Sequence, residues 1–379
     1  MTSEIIALRK TLHAYPEVSG QEFQTAKRVQ DFIQQHYPGK IIDEIGSPSF
    51  VVVYDYGKEG NTVAIRCELD ALPIVEENDF EYSSIHSGVS HKCGHDGHMA
   101  IVAGLIFWLK EQNFKQGRVI LIFQSAEETG KGAYEMLGDP KFKTLEIDYI
   151  FALHNIPGVD LNTIITMKNG FSAEVESFVL QLNGLASHAA EPQNGINPAL
   201  GIAQLVQELN QLNINDPNSE NFQVLTPVHI KMGEANYGIS PGNAELHYTV
   251  RTWSLDTMTQ LKKDILTHID TVTDHNKLQY QITWLEHFPA SENHLDCNVI
   301  IKETAEVLNY EVLERNYPFK FGEDFGWFSR YYKTGMFGLG SGKNTPPLHN
   351  PSYDFPDEII TTGISMFGGI IKKVLISSK

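Results

Sequence analysis

The chain is short of cysteine and of positive charge, and each shortage excludes something. Three cysteines, Cys67, Cys93 and Cys297, lie far apart in 379 residues. An odd count at such spacings builds no disulfide framework. Lys and Arg number 29 against 47 Asp and Glu, a formal charge of −18. Phosphate backbones and anionic membranes bind clustered cations, so neither nucleic acid nor membrane is expected as a partner. A small anionic substrate stays open, because a bound divalent cation supplies local positive charge. The segment Met1-Thr2-Ser3-Glu4 has no basic stretch leading into an apolar one; no signal peptide is expected, and the expected location is the cytoplasm. The longest strongly apolar run, Ile101 to Leu109, falls far short of the ~20 residues that span a bilayer. Internal repeats and low-complexity segments are missing too.

What is present points to an α/β protein. The length is too great for one compact core, so two domains are expected. Segments 49–56 and 62–67 read as strands, and Arg118–Gln124 as a continuously apolar strand central in its sheet. Ile147–Leu153 reads as another. Helices are expected near 22–36 and 96–110. From about Ala173 the pattern changes to strand, helix, strand, strand, helix, strand, which is the split-βαβ, ferredoxin-like order. The expected layout is a larger α/β domain over 1–172 and 285–379 with a small domain inserted over 173–284.

One stretch concentrates the chemistry. Ser90-His91-Lys92-Cys93-Gly94-His95-Asp96-Gly97-His98 packs three histidines, a cysteine and an aspartate into nine residues. It opens a buried helix, a rigid support for reactive groups. Two strands end in further candidates: 118–124 delivers Glu127 and Glu128, and 147–153 delivers His154. Ligands of open α/β sheets gather beyond the carboxyl ends of strands, so these residues and Cys93 and His95 can share one cleft. Each has a plainer reading. Cysteine is usually a buried small hydrophobe. Paired glutamates suit a helix N-terminus. His98 suits a local helix-face hydrogen bond. Single histidines such as His154, His188 and His349 are more often structural than ligands. Asn236, near the turn Ser240-Pro241-Gly242, can simply shape a loop.

The combination resembles a known family. Arg66-x-x-x-Asp70-Ala-Leu-Pro73, Cys93-Gly-His95-Asp-Gly-His98, Glu127-Glu128, Leu153-His154-Asn155, Ser187-His188-Ala-Ala-x-Pro192, Gly233-x-x-Asn236, Thr249-Val-Arg-Thr252, Gly322-Glu323-Asp324-Phe325 and Leu348-His349-Asn350 occur in order across nearly the whole chain. The chain resembles the M20 metallopeptidases, most of all the amidohydrolase branch that includes hippurate hydrolases, auxin-conjugate hydrolases and N-acyl-amino-acid deacylases. The resemblance implies a zinc-aminopeptidase-like catalytic domain with a ferredoxin-like lid that often makes a homodimer contact. It implies two divalent ions (zinc, manganese, cobalt or nickel) held by Cys93, His95, Glu128, His154 and His349. It makes Glu127 the general base and Asp70 a second catalytic candidate, and it turns His188 and Asn236 toward substrate or oxyanion. The implied substrate is an N-acyl amino acid; a short peptide, cleaved by a dipeptidase or carboxypeptidase, is the alternative. A metal-free binding protein keeping the fold is a third. The branch usually carries aspartate where Glu68 stands and proline where Ser125 stands, and a glycine-containing turn where Gly158–Asn162 lies. None of these departures removes an implied ligand.

Overall fold

The computed structural model describes residues 2–57 and 59–376. The chain divides into two compact units. One comprises 1–171, 291–318 and 323–379; the other comprises 172–290 with 319–322.

The first unit is built on an eight-stranded mixed sheet, in the order Lys40–Ile42, Phe50–Asp55, Arg118–Gln124, Thr62–Glu68, Tyr149–Ile156, Lys333–Gly340, Ile164–Met167, Val312–Arg315. Strand Thr62–Glu68 runs parallel to both Arg118–Gln124 and Tyr149–Ile156, and Lys333–Gly340 runs parallel to Tyr149–Ile156. Their carboxyl ends therefore share one edge. The central strands are buried along nearly their whole length and mostly apolar, as a sheet covered on both faces requires.

Helix His95–Lys110 lies against strand Thr62–Glu68 and is buried at nearly every position. It starts from Gly94, whose φ is +97°. A Cβ there would meet the Asn155 side chain at 2.7 Å, so the position takes glycine for conformation and for space alike. The last helix, Ile360–Ile376, packs on His95–Lys110 and on Leu295–Val307. Over Asp357–Ile376 it is long and apolar enough to cross a membrane, which exceeds the short run expected from sequence; 61% of its most apolar window is buried in the protein. The apolar length is that of a core helix.

The second unit carries the order βαββαβ. Strands Gln279–Phe288, Glu174–Asn183, Asn243–Thr252 and Gln223–Met232 form one antiparallel sheet in that spatial order. Helices Ala199–Gln211 and Leu255–His275 cover one face through Leu205, Leu209, Leu261 and Ile265, against Phe178, Leu180, Leu246 and Tyr248. The alternate residues of the strands form the other, uncovered face.

The start of the site-bearing helix is fixed by buried charge. Asp96, in its first turn, is fully buried and accepts from His13 Nδ1 at 2.8 Å and from Arg9 Nη1 at 3.3 Å. Arg9 also reaches Asp354 and Asp357, while His13 Nε2 donates to Glu76 at 3.0 Å and Lys92 Nζ donates to the same oxygen at 2.6 Å. Both His13 nitrogens face carboxylates, so both carry protons. Burial opposes that charge, but Asp96 and Glu76 outweigh it and raise His13 to about 9. A group raised from 6.5 to about 9 lends stability that is complete below pH 6.5 and is lost as pH rises through 9. The stability gap between the protein and its His13→Gln variant should therefore narrow, by about 3 kcal/mol, from pH 6.5 to 9.5 in urea unfolding. A gap independent of pH would show that His13 is neutral in the fold.

Candidate active site

The parallel strand ends deliver the reactive groups. Strand Thr62–Glu68 ends in Glu68 and continues to Asp70; Arg118–Gln124 turns through Ser125 and Ala126 into Glu127 and Glu128; Tyr149–Ile156 carries His154 and Asn155 within the strand instead of after it. Glu127 and Glu128 open a single 3-10 turn, and the helix Gly132–Gly138 follows it. His349 enters from the loop before the final helix, with its backbone N–H on the Lys92 carbonyl at 2.7 Å and a left-handed φ of +65°.

These side chains meet as two overlapping groups. Cys93, His95 and His154 offer donor atoms within 4.8 Å of one another, and so do Cys93, Glu128 and His349. Cys93 belongs to both. Hydrogen bonds select the donor atom of each ring. His95 Nδ1 lies 2.9 Å from the Asp70 carbonyl, and His154 Nδ1 lies 2.9 Å from the Asn155 carbonyl. A carbonyl only accepts, so each Nδ1 holds the proton and each Nε2 keeps its lone pair when the ring is neutral. His95 Nε2 and Glu128 Oε1 are buried and make no hydrogen bond among the described residues. His154 Nε2 is 3.5 Å from the Cys93 sulfur, and His349 Nε2 is 3.7 Å from Glu128 Oε1.

The site is too negative for its own cations. Burial, with Glu128, Glu127 and Glu68 nearby, pushes the Cys93 thiol well above its usual range. Burial and the carboxylates of Glu323, Glu128 and Asp324 push Glu127 well up in the same way. Glu128 rises to about 7, chiefly through burial. Thiol, carboxylate and imidazole donors with unshared lone pairs, in a pocket short of positive charge, fit a divalent cation of the borderline class. They would fit an apolar ligand badly.

Sequence reasoning missed the frame behind these donors. Buried Arg66 pairs with Glu68, with Glu323 at 3.1 Å and with Asp324 at 2.7 Å. Asp324 accepts from Gln124 Nε2 at 2.8 Å and from the Ala133 N–H at 2.9 Å, and its own N–H points to Glu127 Oε1 at 3.4 Å. Glu22 accepts the Ala126 N–H at 2.7 Å and so pins the turn before Glu127. A glutamate at a helix start carries no signal separating this role from ordinary end charge. His98 does not bond along its own helix. It meets Glu68 through Nδ1 and Asn155 through Nε2, each at 2.6 Å, and ties two strand ends together. His91 is buried, bonds to nothing among the described residues, and is lowered to about 3 by burial. Asp70 is fully buried; one carboxylate oxygen takes Ser19 Oγ at 2.7 Å and the Glu128 N–H at 2.9 Å. In the second unit, Ser187–His188 pairs with Ile239–Ser240, which places the loops of His188 and Asn236 side by side. His188 Nδ1 accepts the Ala190 N–H, and Asn236 Oδ1 accepts the Gly238 N–H.

Comparison with known proteins shows the family. The profile of peptidase family M20/M25/M40 matches residues 64–373. The N-acetyl-L-cysteine deacetylase of Bacillus subtilis is 28% identical over 381 aligned residues, covering 100% of this chain and 90% of its own. An uncharacterised hydrolase of Staphylococcus epidermidis is 26% identical, covering 96% of each chain. Among solved structures, a putative aminohydrolase from methicillin-resistant Staphylococcus aureus superposes with a TM-score of 0.89 at 23% identity, covering 99% of this chain and 97% of its own. A dinuclear metal-binding M20 peptidase from Bacillus subtilis gives 0.85 at 24% identity, covering 99% of each chain. The chain belongs to peptidase family M20/M25/M40, and it is a metal-dependent amide hydrolase.

Proposed function

We propose that the enzyme releases the amino acid from N-acyl amino acids, with Cys93, His95, Glu128, His154 and His349 holding two divalent ions and Glu127 moving the proton. The observation that carries this reading is the pair of donor groups sharing Cys93. Cys93, common to both groups, would be one of the residues holding the ions. The Bacillus subtilis deacetylase, related along the full length, supports the choice of an N-acyl substrate.

Ions held there would supply Lewis acidity, making water a nucleophile near neutral pH and polarising the scissile carbonyl. Glu127 does the remaining acid–base work. Its buried carboxylate takes a proton from the attacking water as the new C–O bond forms, then gives that proton to the amine nitrogen as the C–N bond breaks. The products are a carboxylate and the free amino acid. Dry surroundings and neighbouring carboxylates raise the proton affinity of Glu127, which suits a group that must hold a proton between two steps. The Asp324 N–H and the pinned Ala126 turn aim it. Asp70 acts as a positioning group, holding the His95 ring through its carbonyl and the Glu128 backbone through its carboxylate. For His188 and Asn236, assignment to the substrate side rests on family resemblance alone, as does a homodimer.

Glu127→Gln should keep the wild-type metal content by elemental analysis and lose about 10²–10⁴-fold in kcat. Full activity in that variant would remove Glu127 as the base. Dialysis against a chelator should abolish hydrolysis, and adding back zinc, manganese, cobalt or nickel singly should identify the working ion. Metal retention should weaken as pH falls, because the thiol, carboxylate and imidazoles must release protons to bind. A panel of N-acetyl and N-benzoyl amino acids beside unblocked dipeptides tests the substrate class. Cleavage of the dipeptides alone would replace the deacylase with a dipeptidase.

A further inference from the structure

A second group of metal-binding side chains lies in the second unit, and nothing in the proposed reaction uses it. His229 on strand Gln223–Met232 and His247 on strand Asn243–Thr252 are direct cross-strand partners. Glu245 sits two residues before His247, so it projects from the same face of the sheet. That face is the one the helices leave uncovered. The ladder shifts register immediately after His247, and bulges of this kind re-aim neighbouring side chains.

The three side chains converge without satisfying one another. His229 Nε2 is 3.6 Å from Glu245 Oε1, and His247 Nε2 is 3.9 Å from the same oxygen. Both separations exceed a hydrogen bond. The imidazole rings stand perpendicular with centroids 5.1 Å apart. His247 Nε2 is buried and makes no hydrogen bond among the described residues. Lys231, the cross-strand partner of Glu245, pairs its Nζ with Glu234 at 2.8 Å. Two ligands each about 2.0–2.1 Å from one tetrahedral ion stand roughly 3.4 Å apart. The observed gaps exceed that by a few tenths of an ångström, which side-chain rotation closes.

We propose that His229, Glu245 and His247 form a metal site of the second unit, for a divalent ion of the zinc class. Two imidazole nitrogens and one carboxylate oxygen match that ion's preferences, and the uncovered face leaves its remaining position to water. Bound there, the ion bridges the edge strand to its neighbour. The site stands on its own geometry and is independent of the substrate assigned above.

The test is equilibrium dialysis of the full chain against zinc, with bound metal counted by elemental analysis. His229→Ala and His247→Ala should each hold one zinc fewer per chain than wild type. His95→Ala should lower the count as well, and combining it with His247→Ala should lower it beyond either alone. Glu245→Gln should weaken the least tightly held zinc at least tenfold. Wild-type counts in both histidine variants at saturating zinc would overturn the site and leave an ion-pair cluster. Should circular dichroism show a histidine variant misfolded, Glu245→Gln carries the test, and unchanged zinc affinity there overturns the proposal.

Discussion

A carboxylate taken out of water must find positive charge, hydrogen-bond donors or a proton, and this enzyme buries several at one sheet edge. Glu68, Asp70, Glu127, Glu323 and Asp324 are all buried there. Arg66 answers Glu68, Glu323 and Asp324, and Ser19 Oγ with the Glu128 N–H answers Asp70. Glu127, Glu128 and the Cys93 thiol are left over, and their proton affinities rise accordingly. Positive charge is missing where the lone pairs of His95, His154 and His349 converge. The same imbalance thus describes a cost to the fold and a place for a cation. Structure that looks like support, the Arg66–Asp324–Gln124 network, meets Glu68, Glu323 and Asp324 with ion pairs and hydrogen bonds and leaves Glu127, Glu128 and Cys93 without a cation.

Much of this was legible in the sequence where the signal is local. Continuous apolar strands ending in acids or histidine identify central parallel strands, and the change of pattern near Ala173 identifies the βαββαβ unit. The five donors that meet at the cleft lie in four separate segments; motif resemblance grouped them, and the parallel register explains how they meet. Short strands left no trace. Lys40–Ile42, Ile164–Met167 and Val312–Arg315 span three or four residues each, too few for a periodicity to register. The membrane-like length of the C-terminal helix is equally ambiguous from composition, since a helix packed largely within protein can have the same apolar content as one buried by lipid.

Roles set by distant partners were illegible for a different reason. His98 looks like a helix-face residue because its sequence neighbours are helical, yet its partners are Glu68 and Asn155 on two strands. Glu22 looks like an end charge, yet it binds the backbone 104 residues away. Nothing in the identity of either residue encodes the far partner; only the folded chain does. His13 is the same case, an ordinary helix histidine whose two carboxylate partners make it a cation.

The connections into the cleft show how such distant bonds are used. Ala126 and His349 both adopt left-handed backbone, at φ +53° and +65°, where a side chain is disfavoured by roughly 1–2 kcal/mol. Ala126 immediately precedes Glu127, and His349 is itself a proposed ligand. Each strained residue is tied through its own N–H to a fixed acceptor, Glu22 for one and the Lys92 carbonyl for the other. Lys92 is in turn held by Glu76, which holds His13, which holds Asp96 at the start of the helix bearing His95. Strain at one wall of the cleft is therefore borne by the buried ion network that fixes the other. Loosening His13 at alkaline pH would release the backbone carrying His349 along with the helix carrying His95, so stability and the geometry of the donor set depend on the same few buried charges.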